Sequence, residues 1–131
     1  MIVLDTHALI WWATGAADLS AIARKAIQTG ARQRAVVASA ISIFEIATAV
    51  RRLRLVLNTP LESWLAALGA LPELRIEPVT AEIAATAGGF DDEMPGDPAD
   101  RIIAATALVL RAKLVTADER LRTAARLQTI W

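Results

Sequence analysis

Short apolar runs, each broken off by an acid or a hydroxyl, alternate with longer stretches of helical spacing, and this alternation constrains the fold more than any other feature. Ile2 to Leu4 stops at Asp5, Ala35 to Ala38 at Ser39, Leu74 to Val79 at Thr80, and Lys113 to Val115 at Thr116; Leu127 to Trp131 is the last run. The runs are short and mostly rich in branched residues, as strands buried on both faces are. Between them lie Ala21 to Gln28 after Ser20, Ile41 to Leu53, and Leu61 to Leu71 after Thr59-Pro60. Further on come Ala81 to Ala87 after Thr80, Ala99 to Ala112 after Asp97-Pro98, and Glu119 to Arg126. Each carries helical spacing, and most follow a residue that caps helices well. Strands alternating with helices predict an α/β fold, a short parallel sheet of about five strands with helices on both faces. The 131 residues suit one such domain, spanning 1–131, and are too few for two good cores. Phe90 to Pro98 (FDDEMPGDP) is the one clear loop.

Composition narrows the chemistry. With 55% apolar and 21% charged residues the chain can bury a large core, and no apolar run reaches the roughly 18 residues of a membrane span. The first residues lack the basic start and small-residue cleavage site of a secretion signal, so a soluble, cytoplasmic protein is expected. There is no cysteine and one histidine, which leaves no thiol nucleophile and too few ligands for structural zinc. Lys+Arg and Asp+Glu are 14 each, so the overall field does not draw in polyanions. Catalysis, if any, runs on carboxylates, hydroxyls and arginines.

In open α/β sheets, ligands bind beyond the carboxyl ends of the strands. Asp5 follows the first run, and Thr116 and Asp118 follow the fourth. Glu45 lies early in the helix after the second, and Asp100 in the first turn of the helix that feeds the fourth. These four acids are positioned to converge on one rim. Two unit charges 4 Å apart repel by about 4 kcal/mol at an effective dielectric of 20, a large share of a domain's net stability. A divalent cation removes that difficulty, and oxygen-only ligation favours Mg²⁺ or Mn²⁺ over zinc. Such a cation suits phosphoryl transfer. Each acid also has a plainer role open to it. Asp5 can end a strand, and Glu45 can close a capping box with Ser42, although Ser39 competes for the cap. Asp97 can cap a helix with Pro98 at its first position, which puts Asp100 where the helix dipole favours a negative charge. Asp118 falls within a Thr116–Glu119 capping box.

Four segments, LDTHALIWW, SIFEIATAVRRLRL, GDPADRIIAATAL and LVTADERL, together resemble PIN-domain ribonucleases, specifically the toxin subunits of VapBC-type toxin–antitoxin pairs. The likeness spans nearly the whole chain, in order and at the right separations. It implies an acidic pocket that binds Mg²⁺ or Mn²⁺ and cleaves RNA, with Asp5, Glu45, Asp100 and Asp118 as the catalytic acids. Asp97 and Thr116 are possible additional members. Asp5 and Asp100 would be the main metal ligands, with Glu45 and Asp118 acting directly or through water. The loop FDDEMPGDP lacks the histidine often found before the DP pair. The resemblance also implies a homodimer and an antitoxin protein that blocks the site, with Trp12 and the Leu61 to Leu71 helix lining an apolar groove for it.

Arg51, Arg52, Arg54 and Arg101 are candidate RNA contacts, since an acidic pocket in a neutral protein needs a basic rim. His7 reads as a rim or helix-start residue. Two other readings compete: a Mg-dependent phosphatase or receiver-type phosphotransfer domain, and a non-catalytic binding module of the same fold. A phosphatase of that kind wants a second aspartate where His7 stands, and a receiver wants adjacent acids after the first strand and a lysine beyond its last. A module without catalysis has no reason to keep mutually repelling acids.

Overall fold

In the computed structural model, which describes all 131 residues, β1 (Ile2–Leu4) leads into α1 (Thr6–Thr14) and α2 (Ala21–Arg32), then β2 (Val36–Ser39) and α3 (Ala40–Arg51). After these come α4 (Leu61–Gly69), β3 (Leu74–Glu77), α5 (Ala81–Gly88) and α6 (Pro98–Val109). The chain closes with β4 (Lys113–Val115), α7 (Glu119–Arg122) and β5 (Thr129–Ile130). The five strands form one sheet in the order β3-β2-β1-β4-β5, parallel throughout, as expected from the alternation. No helix is long and apolar enough to cross a membrane.

Strand periodicity divides the core in two. Ile2 and Leu4 of β1 join Val36 and Ala38 of β2 on one face, under Leu9, Ile27 and Ile46 from α1, α2 and α3. Val3 and Val37 point to the other face, where they meet Ile83, Ile103 and Leu114. Successive side chains of a strand alternate between faces, so two covered faces demand an unbroken apolar run. Helix α2 lies so close that a Cβ on Gly30 would sit 3.2 Å from Ile2 Cδ1 and Val36 Cγ2.

Strand order reverses at β1: the chain first winds outward through β2 and β3, then returns to place β4 on the other side. The crevice between the carboxyl ends of β1 and β4 is therefore where a ligand is expected. Helix α1 was not apparent in the sequence. Asp5 ends β1 and at once caps α1, its side chain accepting from the Ala8 N–H, so one residue carries both signals. Helix α7 is also shorter than the Glu119 to Arg126 stretch suggested, stopping at Arg122 with Thr123 as its cap.

The loop before α6 is pinned by Arg101. Its guanidinium donates to the carbonyls of Ala87, Phe90 and Pro95 and lies 5.7 Å from the Phe90 ring centre. Three of its five N–H groups thus bind the chain's own backbone, and two are left for the RNA contact expected of it. Arg101→Ala is expected to destabilise the fold by about 2 kcal/mol, since hydrogen bonds from a charged donor are worth roughly 1.5–3 kcal/mol. Urea unfolding measures it; an unchanged midpoint would contradict the anchoring role.

Candidate active site

Five carboxylates, those of Asp5, Glu45, Asp97, Asp100 and Asp118, line one cavity of about 490 Å³ at the crevice between β1 and β4. The four acids expected to converge do so, and Asp97 joins them.

Asp5 is the most fixed. It is buried, 7% exposed, with Oδ1 accepting from the Ala8 N–H at 2.8 Å and Oδ2 accepting from the Thr116 hydroxyl. Thr116 is itself wholly buried, and its Oγ1 accepts from the Asp118 N–H at 3.0 Å. The hydroxyl thus ties the end of β1 to the end of β4 across 111 positions of sequence. Burial pushes the Asp5 carboxyl above the usual aspartate range, despite those two hydrogen bonds.

Glu45 does not close a capping box. Ser39 caps α3, accepting from the Ile41 N–H at 3.1 Å, and this places Ser42 inside the helix, facing inward. Ser42 is wholly buried and lies 2.9 Å from the Thr6 hydroxyl, which donates to Glu45 Oε1. Thr6 has one proton to give and gives it to the carboxylate, so Ser42 is the donor in the first contact. The relay Ser42–Thr6–Glu45 sets the glutamate rotamer. Burial, then the charge of Asp97, raises the Glu45 carboxyl despite the Thr6 hydrogen bond.

Asp97 caps α6, with Pro98 at the first helical position and Oδ1 accepting from the Asp100 N–H at 3.1 Å. Asp118 caps α7, with Oδ1 accepting from the Arg120 N–H at 2.9 Å. In both cases the plainer role is present and the residue still lines the cavity. Asp100 has no such employment. Its carboxyl is pushed up to about 6 by burial first, then by Asp97, Asp118 and Glu45, with Arg120 working against them. Arg120 is the only cation paired with the cluster, at 3.9 Å from both Asp100 and Asp118 and with its side chain 67% exposed. An exposed pair at that distance offsets little.

The sign for stability follows. Asp100 titrates near 6 in the fold against 3.8 as its ordinary value, so the folded protein keeps a proton that the unfolded chain has lost. Stability therefore falls as pH rises through this window and stays lower at pH 7. The shift corresponds to about 3 kcal/mol at 1.36 kcal/mol per unit, and solvent reaching the carboxylate reduces it to about 1–2 kcal/mol. In chelator, Asp100→Asn is expected to be more stable than the parent by that amount at pH 7 and equal to it below pH 4. Urea unfolding at both pH values checks this, and a destabilised variant at pH 7 would contradict it.

The donor set fits a hard divalent cation. All five groups offer oxygen, and burial and neighbouring charge disfavour the charged forms of Asp5, Glu45 and Asp100, which a positive charge relieves. No three of them are close enough to form a ready-made cage. Mg²⁺ suits such a site, because it keeps several waters and takes only one or two carboxylates directly.

Two rings also stand on the rim, that of His7, as expected, and that of Trp11. His7 is exposed in the first turn of α1, its ring 5.6 Å from that of Trp11, which in turn lies 5.7 Å from Trp131. A groove of about 650 Å³ shares His7, Trp11, Glu45 and Asp97 with the acidic cavity and runs along α3 to Arg52 and Arg54. Arg51 is exposed but lines neither. A separate apolar groove of about 320 Å³ is walled by Ala13, Trp64, Leu68 and Leu71, as expected of the fourth helix. Trp12 is not part of that wall and packs against the core.

A parallel five-stranded sheet whose central crevice is ringed by acids defines a class, and the PIN-domain family model matches residues 2–127. The chain belongs to the PIN-domain family. It is 41% identical over 121 residues to the ribonuclease VapC22 of Mycobacterium tuberculosis, covering 92% of this chain and 89% of that protein. The fold is shared with the VapBC2 complex of Rickettsia felis bound to a promoter DNA fragment, with a TM-score of 0.72, 18% identity and 98% and 97% of the two chains covered. It is also shared with FitAcB of Neisseria gonorrhoeae, with a TM-score of 0.62, 23% identity and 98% and 96% covered.

Proposed function

We propose that this chain is an endoribonuclease dependent on Mg²⁺ or Mn²⁺, the toxin of a type II toxin–antitoxin pair that inhibits translation in the cytoplasm. The observation that carries the reading is the meeting of five carboxylates from four distant segments in one cavity, with a single exposed arginine to balance them. Asp5 and Asp100 would hold the cation, with Glu45 and Asp118 reaching it directly or through water. When bound, the cation supplies positive charge to the phosphate as it reacts and makes water a stronger acid.

The chain's own residues do the rest. Glu45, with one oxygen held by Thr6 and its affinity for protons raised, suits orienting the attacking water and taking its proton. Thr116 and the Ala8 N–H hold Asp5 in one rotamer, so its oxygens need no reorganisation during the reaction. Asp97 sets the start of α6 and so the place of Asp100. Arg52 and Arg54 line the groove that adjoins the cavity and would hold the RNA backbone there. A homodimer and a cognate antitoxin complete the reading; one solved structure that shares the fold is a toxin–antitoxin complex from Klebsiella pneumoniae, with a TM-score of 0.61.

The phosphotransfer reading finds less support. Lys113 opens β4, paired in register with Ile2, at the end of the sheet away from the acids. The test is to incubate the protein with total RNA and a divalent cation and to map new ends beside the Asp5→Asn variant. Ends made only by the parent support the proposal; identical ends from both would overturn it.

A further inference from the structure

Phe44 is one residue before Glu45 and is 67% exposed, an unusual place for a large aromatic beside an acidic pocket. It lines the groove that continues from the acidic cavity along α3. Phe44, Glu45, Thr48 and Ala49 of α3 line that groove, followed by Arg52 at the helix cap and Arg54 beyond it. Arg52 lies seven positions after Glu45, about 10 Å along the axis at 1.5 Å per residue. The groove thus offers an aromatic face beside the proposed reaction site and two cations further along, neither of them paired with an acid. Its far end carries no carboxylate. That order of charge matches a single strand of RNA, in which a base lies next to each phosphate.

We propose that Phe44 is the platform on which a nucleobase adjacent to the scissile phosphate stacks, with Arg52 and Arg54 holding the following backbone. The inference rests on the ribonuclease reading and adds to it the part of the substrate that the groove recognises. Stacking accepts any base, because every base has a π face, so Phe44 sets position on the strand more than base identity. An exposed apolar ring also suits a protein partner. The continuity with the acids and the cations at the groove's end favour RNA.

The experiment begins with total RNA cleaved by the parent, whose mapped ends define a synthetic oligonucleotide. That oligonucleotide is then made with an abasic site at each position flanking the cut. At one position the parent is expected to lose about 10- to 100-fold in kcat/KM, the range of one base–aromatic stack. Phe44→Ala is expected to lose a similar factor on the intact RNA and nothing more on the abasic one, while Phe44→Trp keeps the parent's preference. Losses that multiply independently, or a Phe44→Ala variant that cleaves intact RNA as well as the parent, would overturn the proposal while leaving the nuclease reading in place. If Phe44→Ala changes only self-association or antitoxin binding, the ring serves a protein and the proposal fails. Failure of the ribonuclease reading is seen separately, as a parent that makes no ends beyond those of Asp5→Asn.

Discussion

Asp5→Asn is expected to reduce RNA cleavage by about 10³-fold or more while the protein melts at the parent's temperature or slightly above it. The first half follows from the place of Asp5. It is the most buried acid of the cavity and would hold the cation, whose charge stabilisation is worth several kcal/mol, and each 1.36 kcal/mol is tenfold in rate. The second half follows from what asparagine keeps. Its carbonyl oxygen still caps α1 by accepting from the Ala8 N–H, and asparagine is among the best capping residues. Thr116 no longer finds an acceptor at the other position, but its hydroxyl can rotate and accept from the new amide. Burial disfavours the charged form of Asp5, so removing the charge relieves the fold. Cleavage rates and melting curves on the same preparation separate the two effects. An active variant would remove Asp5 from the reaction, and an unfolded one would make its role structural.

How much of this was readable beforehand differs from residue to residue. Asp5, Thr116 and Asp118 were legible because each stands just after a short apolar run, and the parallel sheet follows from the alternation of those runs with helices. Glu45 was ambiguous because Ser42 lies three residues before it. The sequence cannot show that Ser39 takes the cap and turns Ser42 inward, since that depends on where the backbone leaves β2. Helix α1 was hidden for a related reason: its cap is also the strand's end, and Ala8 to Trp12 are apolar on every side, with no stripe to reveal a helical period. Arg101 has a structural role that its neighbour Asp100 does not suggest. Adjacent residues on a helix point about 100° apart, so Asp100 faces the cavity while Arg101 reaches back to the loop. Arg120 and Thr6 were missed because their partners come from other elements, and a contact of that kind leaves no local signal.

Chelation is expected to stop cleavage completely, and Mg²⁺ or Mn²⁺ to restore it. The same titration should also move the melting temperature, a readout independent of catalysis. Without a cation, five carboxylates line one cavity and the only cation paired with any of them is the exposed Arg120; two unit charges 4 Å apart would repel by about 4 kcal/mol at an effective dielectric of 20. A cation at a hundred times its dissociation constant stabilises the fold by about 2.7 kcal/mol. For a domain of this size that is a rise of roughly 8–11 °C, taking about 3–4 °C per kcal/mol. Asp100→Asn then separates repulsion from packing, because its two effects have opposite signs. It should begin higher than the parent in chelator, having lost a strained charge, and should gain less when the cation is added, having lost a ligand. A residue that mattered only for packing would lower the starting point and leave the gain unchanged. Full cleavage in chelator, or equal gains in parent and variant, would mean that the acids are gathered for some purpose other than holding a cation.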